Sequence, residues 1–126
     1  MTAAEEFGRS KYISLTTYRK DGTPVATPLW HALHDGELWV VTEPGSWKVK
    51  RIRNNPNVEV AVSDIRGKVA PDALRASGTA RLLDDAGTAQ ARRLIADRYL
   101  MSRLGNAFAR IVRLRRPPMI GVVVTL

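Results

Sequence analysis

The sequence predicts a mainly β protein: six strands in an antiparallel barrel, a short helix after the third strand and a helical pair before the last. Three observations lead there. Asp21-Gly22 and Asp35-Gly36 each separate two strand-like runs, residues 46–53 switch from a two-residue period to a helical one, and residues 119–126 (MIGVVVTL) are apolar throughout. A strand with that last pattern is buried on both faces.

Each element follows from local chemistry. Residues 11–18 (KYISLTTY) place Tyr12, Ser14, Thr16 and Tyr18 on one face and Ile13, Leu15 and Thr17 on the other, the alternation of a strand. Asp21-Gly22 turns the chain, because glycine accepts the positive φ of a primed hairpin turn. The return strand, residues 23–34, contains Pro24 and Pro28. Each proline removes a ladder donor and confines its strand to an edge or a bulge. Asp35-Gly36 turns again into residues 37–42 (ELWVVT), which completes a three-stranded meander. In residues 46–53, Val49 and Ile52 lie three apart among polar residues; this is a short helix capped by Ser46 and stopped before Pro56. Residues 58–65 are the fourth strand and 66–72 a loop. Residues 74–83 are the fifth strand, with Gly78 at a bulge or a close backbone approach. Asp84 or Asp85 caps a helix over residues 87–100. A second helix over residues 102–114 ends at Pro117-Pro118. Residues 1–126 form one domain.

Composition narrows the function. Hydrophobic residues at 44% and charged residues at 25% are globular values and exclude a disordered chain. No cysteine is present, which removes disulfides, thiolate metal sites and cysteine nucleophiles, and suits a cytoplasmic protein. The opening MTAAEE carries acids where a secretory signal needs cations, and no run approaches the ~20 apolar residues that cross a bilayer. No membrane partner is expected. His31 and His34, the two histidines, stand three apart on a strand and face opposite sides, which leaves no metal site.

The net charge is +8, and eight arginines fall within residues 92–116. A field of that sign attracts an anion, while the plainer account is a solvated face tuned for solubility. Residues 46–53 are more telling, for Lys48, Lys50, Arg51 and Arg53 occur there with no acid. Lys48 stands in the first helical turn, where the macrodipole disfavours a cation by a few tenths to ~1 kcal/mol. An anion docked at the helix start resolves the conflict: free N–H groups and the Ser46 hydroxyl bind it, and Lys48 neutralises it.

ISLTTYRKDGTPVATPLWHALHDGELWVVTEPGSWKVKRIRNNPNVEVAVSD, the later SGTARLL and the final strand together resemble the split β-barrel flavin and deazaflavin oxidoreductases, the pyridoxamine-phosphate-oxidase-like group. Within it the chain is most similar to small actinobacterial members that use the deazaflavin coenzyme F420. The resemblance implies a homodimer with the cofactor between subunits, and a small conjugated substrate that accepts hydride. Ser46 and Lys48 match the phosphate-holding positions of the FMN branch; Trp47 stands where that branch has arginine, and Ala26 and His31 replace two further cations. Those losses favour F420 over FMN, with Lys50, Arg51 and Arg53 meeting the phosphate and glutamate tail. Thr27, Pro28, Leu29 and Trp30 match the strand that carries the ring system, and Thr42 ends the strand before the phosphate helix. His31 is the candidate proton donor, with Tyr12 or Tyr18 in reserve; a lone strand histidine is otherwise a packing residue.

Other readings compete with F420 dependence. One is an FMN-binding oxidoreductase of the same fold, and another is a flavin or haem carrier. A third is a basic β-barrel that binds nucleic acid. The sparse aromatic residues among the arginines, Tyr99 and Phe108, argue against the last, because bases stack on aromatic side chains; no nucleic-acid partner is expected.

Overall fold

In a computed structural model, which describes residues 2–100 and 119–126, the chain folds as a curled antiparallel sheet with three helices around it. The elements are α1 (Ala3–Arg9), β1 (Tyr12–Tyr18), β2 (Pro24–Leu29), β3 (His31–His34), β4 (Glu37–Thr42), α2 (Trp47–Asn54), β5 (Asn57–Ser63), β6 (Arg75–Leu82), α3 (Asp85–Leu100) and β7 (Ile120–Thr125). The sheet has seven strands in the order β2-β1-β5-β6-β7-β4-β3, one more than the sequence predicts.

The extra strand comes from residues 23–34. They are not one strand but two, β2 and β3, separated by Trp30. β2 pairs with β1, and β3 pairs with β4 at the opposite edge of the sheet. The predicted meander is therefore two hairpins, and the edges of the sheet meet at Trp30. Pro24 and Pro28 do lie on an edge strand, as their missing donors require.

The two Asp-Gly turns differ. Asp35 and Gly36 both have positive φ, 52° and 75°, the signature of a type I′ hairpin. At the first turn only Gly22 is left-handed, at 89°. That turn is a wider loop in which the Arg19 N–H donates to the Thr23 carbonyl at 2.9 Å. It is not a primed turn.

Alternation divides the core. Ile13, Leu15, Leu38, Val40, Val58, Val60, Val122 and Val124 point inward and are buried. Each such side chain contributes roughly 1.5–3 kcal/mol when taken fully out of water. Trp39, Val41 and Val123 point outward and pack on Ala91 and Leu94 of α3. β7 is accordingly buried on both faces, as its unbroken apolar run predicts.

The helices close what the sheet leaves open. α2 begins at the Ser46 cap and buries Val49 and Ile52. Asp84 caps α3, its Oδ1 accepting the Gly87 N–H at 2.8 Å. The sequence gives no warning of α1, whose Phe7 is wholly buried in the inner core. The second predicted helix, residues 102–114, lies outside the described residues.

Candidate functional site

Two concave regions carry several of the residues singled out above. The first is an apolar cleft of about 290 Å³, lined by Tyr12, Pro28, Leu29, Trp30, Val41, Ile65, Ile95 and Met119. It forms where the β2–β3 break brings Trp30 beside the outer face of β4. Val41 and Ile95 belong to the same apolar cluster as Trp30. Ile65 projects from the β5–β6 loop with 65% of its surface exposed. The Asp64 carboxylate pins that loop by accepting the Arg66 and Lys68 N–H groups at 2.8 and 2.9 Å.

The second is a groove of about 410 Å³ between the β1–β2 hairpin and α2, lined by Arg19, Lys20, Trp47, Lys50, Arg51 and Asn54. Trp47, Lys50, Arg51 and Asn54 are spaced i, i+3, i+4 and i+7, which puts them on one helix face. Arg19 and Lys20 approach from the hairpin. The groove contains four cations and no acid.

Six of the ten expected cofactor residues divide between these regions. Pro28, Leu29 and Trp30 line the cleft; Trp47, Lys50 and Arg51 line the groove. Thr27 faces Leu15 across the β1–β2 pair, and its buried hydroxyl has no hydrogen-bond partner among the described residues. Thr42 is buried at the end of β4, opposite Ile120.

Ser46 and Lys48 depart from expectation. The Ser46 Oγ accepts the Val49 N–H at 3.4 Å, so an N–H group foreseen for an external anion is used within the helix. Neither residue lines the cleft or the groove. Lys48 is half-buried; burial, reinforced by the nearby Arg51 charge and opposed by Glu43, lowers its pKa.

His31 is corrected more sharply. It is fully buried beneath α1, where its Nε2–H donates to the Phe7 carbonyl. Burial is the main cause that lowers its pKa to about 4, with Arg98 adding to it and the Phe7 bond opposing it. A neutral, buried imidazole of this kind is a packing residue and does not reach a ligand. Of the two reserve donors, Tyr12 lines the apolar cleft and Tyr18 borders a different depression.

Arg19 and Lys20 were not foreseen as site residues. Their position just before Asp21-Gly22 makes them look like turn flanks, and nothing local reveals that the hairpin folds against α2. Among the described residues no group of histidines and acids is able to hold a metal, and no helix is long and apolar enough to cross a membrane.

The family model described as pyridoxamine 5'-phosphate oxidase matches residues 2–118. A conserved hypothetical protein of Mycobacterium tuberculosis superimposes with a TM-score of 0.74 at 22% identity, covering 99% of this chain and 80% of that one. A structure described as an F420 reductase is 25% identical, with a TM-score of 0.66 and coverage of 98% and 93%. A haem storage protein of Vibrio cholerae shares the fold at 15% identity, with a TM-score of 0.66 and coverage of 96% and 85%. Among curated proteins none matches the chain. The curled seven-stranded sheet, its covering helices and the match over nearly the whole chain agree: this protein belongs to the pyridoxamine 5'-phosphate oxidase family, with the split-barrel fold of flavin-type oxidoreductases.

Proposed function

We propose that the protein is an F420-dependent oxidoreductase that transfers hydride between the deazaflavin and a small conjugated organic substrate. One observation carries this reading: an apolar cleft built on residues 28–30 occurs in the same chain as a groove of cations without acids. A cofactor with a flat ring and a multiply charged end fits that pair, and the likeness to an F420 reductase supports it. FMN is less well served. The family's arginine and lysine positions hold an exposed Ala26 and the buried His31.

When bound, the deazaflavin supplies the hydride chemistry. Pro28, Leu29, Trp30 and Val41 provide an apolar wall that excludes water from the ring face. Lys50 and Arg51 hold the anionic end and so orient the ring. The Tyr12 Oη, on the cleft wall, gives a proton to the reduced substrate. A second copy of this chain closes the open side of the cleft, in a homodimer.

The test is a titration with F420 and FMN followed by absorbance. F420 is expected to bind at micromolar or lower concentration and FMN more weakly; preference for FMN transfers the protein to the flavin branch. The exposed Ile65 makes the cleft testable without disturbing the core. Ile65→Asp places a carboxylate beside the ring and is expected to weaken F420 binding by about 1–3 kcal/mol with unchanged stability. An unaltered dissociation constant takes the cleft out of the site.

A further inference from the structure

The apolar cleft straddles a seam in the sheet. Tyr12, at the start of β1, lines one side of it, and Trp30, just ahead of β3, lines the other. β1 is second in the strand order and β3 is last, so no ladder joins them. Their spacing has to be fixed by other means.

One side chain of α3 reaches both sides of the seam. The Arg98 Nη1 donates to the His31 carbonyl at 2.6 Å, and its Nη2 donates to the Ser10 carbonyl at 2.5 Å. His31 follows Trp30 directly, and Ser10 stands two residues before Tyr12. Arg98 lies one turn beyond Ile95 on the same helix face, and Ile95 is a fully buried cleft residue that packs with Trp30. On the inner face of the sheet the His31 ring is bonded to the Phe7 carbonyl, so the joint is gripped from both faces. A guanidinium suits the outer grip, because its planar fork presents two terminal nitrogens at a fixed separation and a lysine ammonium does not. Both acceptors are backbone carbonyls, so the bonds fix main chain rather than a rotatable side chain.

We propose that Arg98 is a positioning residue for the apolar cleft, tying the start of β1 to the β2–β3 break and thereby setting the gap between Tyr12 and Trp30. A ligand meets the Tyr12 phenol and the Trp30 wall in one orientation only while that gap holds, and a misplacement of about 1 Å in such a site costs on the order of a hundredfold in rate. An arginine that only fastened a helix to a sheet edge would contribute stability and leave ligand affinity untouched. That the gap receives the cofactor ring rests on the oxidoreductase reading; the tie across the seam does not.

Arg98→Lys keeps the charge and loses the fork, and Arg93→Lys, at an exposed position of the same helix, is the control. Hydrogen exchange of the ligand-free proteins is expected to run about tenfold faster in Arg98→Lys at residues 10–13 and 30–33, with β5 and β7 at the parental rate and Arg93→Lys parental throughout. Titration with a deazaflavin lacking phosphate and glutamates is expected to show a dissociation constant about tenfold higher in Arg98→Lys. The same factor is expected for F420, since the basic groove is untouched. In the parent, the tail-free ring is expected to slow exchange on both sides of the seam, a result that does not depend on the variant's folding. Parental exchange at the seam in Arg98→Lys, uniform acceleration across the sheet, or faster seam exchange with a parental dissociation constant overturns the proposal, and so does ligand protection confined to one side. A parent that binds neither deazaflavin overturns the oxidoreductase reading, and hydrogen exchange alone then decides the tie.

Discussion

Gly78→Ala is expected to destabilise the fold by roughly 3 kcal/mol, the upper end of what forcing atoms into a packed site costs. The position lies opposite Val58 in the β5–β6 pair, one residue before Thr79 meets Thr125 of β7. A Cβ there would come within 2.5 Å of the Thr125 carbonyl oxygen and 3.0 Å of the Leu126 Cδ2. The leucine tip is able to rotate away. The carbonyl is not, because it is backbone next to the β6–β7 ladder, so the strands themselves must separate. The loss is steric and owes nothing to a left-handed backbone. Urea unfolding measures it, with Gly45→Ala as the control: a Cβ at Gly45 meets nothing within 4 Å, and the change is expected within about 0.5 kcal/mol of parent. Equal midpoints for the two variants would mean that β7 does not approach β6 as described.

Stability is expected to fall by about 3 kcal/mol as the pH drops from 6.5 to 4, with His31 as the cause. The unfolded imidazole titrates near 6.5 and the buried one near 4. Between those values the unfolded chain binds more protons, so stability rises with pH and is complete above 6.5. Below 4 both states carry the proton and this contribution has gone. Asp21 and Glu37 also have lowered pKa values, through hydrogen bonds from Thr23 and from Thr125 and Arg81 respectively. They act below their ordinary values of 3.8 and 4.5, which leaves pH 5–6.5 to the histidine. Denaturant midpoints across that window are expected to slope in the parent and flatten in His31→Gln. Retention of the parental slope in the variant would clear His31 of the effect.

The strands were legible wherever alternation and turn chemistry coincided. Residues 11–18, the Asp35-Gly36 turn, the Ser46 cap and the doubly buried last strand all needed only local information. Three features needed more. α1 has a Thr2 cap accepting the Glu5 N–H and acids in its first turn, yet Phe7 is its one large apolar side chain, too few to show a helical period. The break at Trp30 has no breaker residue; it arises because the strand must serve both edges of a curled sheet, a tertiary demand. His31 resembled an available proton donor because sequence does not show that Phe7 and Arg98 enclose it.

The basic groove was only partly legible in composition. Four cations in residues 48–53 suggest an anion at the helix start, whereas the structure places two of them, Lys50 and Arg51, on a helix face that lines a groove. Trp47, Lys50 and Arg51 share that groove with Arg19 and Lys20, about thirty residues away in sequence, and the Arg51 Nε donates to the Thr17 Oγ1. Spacing along α2 alone gives no sign of that hairpin.

β7 stands between β6 and β4, and this has a consequence for how the molecule is made. While the protein is being synthesised, β2-β1-β5-β6 and β4-β3 are two separate ribbons, each with a bare hydrogen-bonding rim. Neither rim finds its mate until residues 120–125 clear the ribosome. A nascent chain stalled just short of that point would expose two sticky borders, which makes it the species on which chaperones are expected to act.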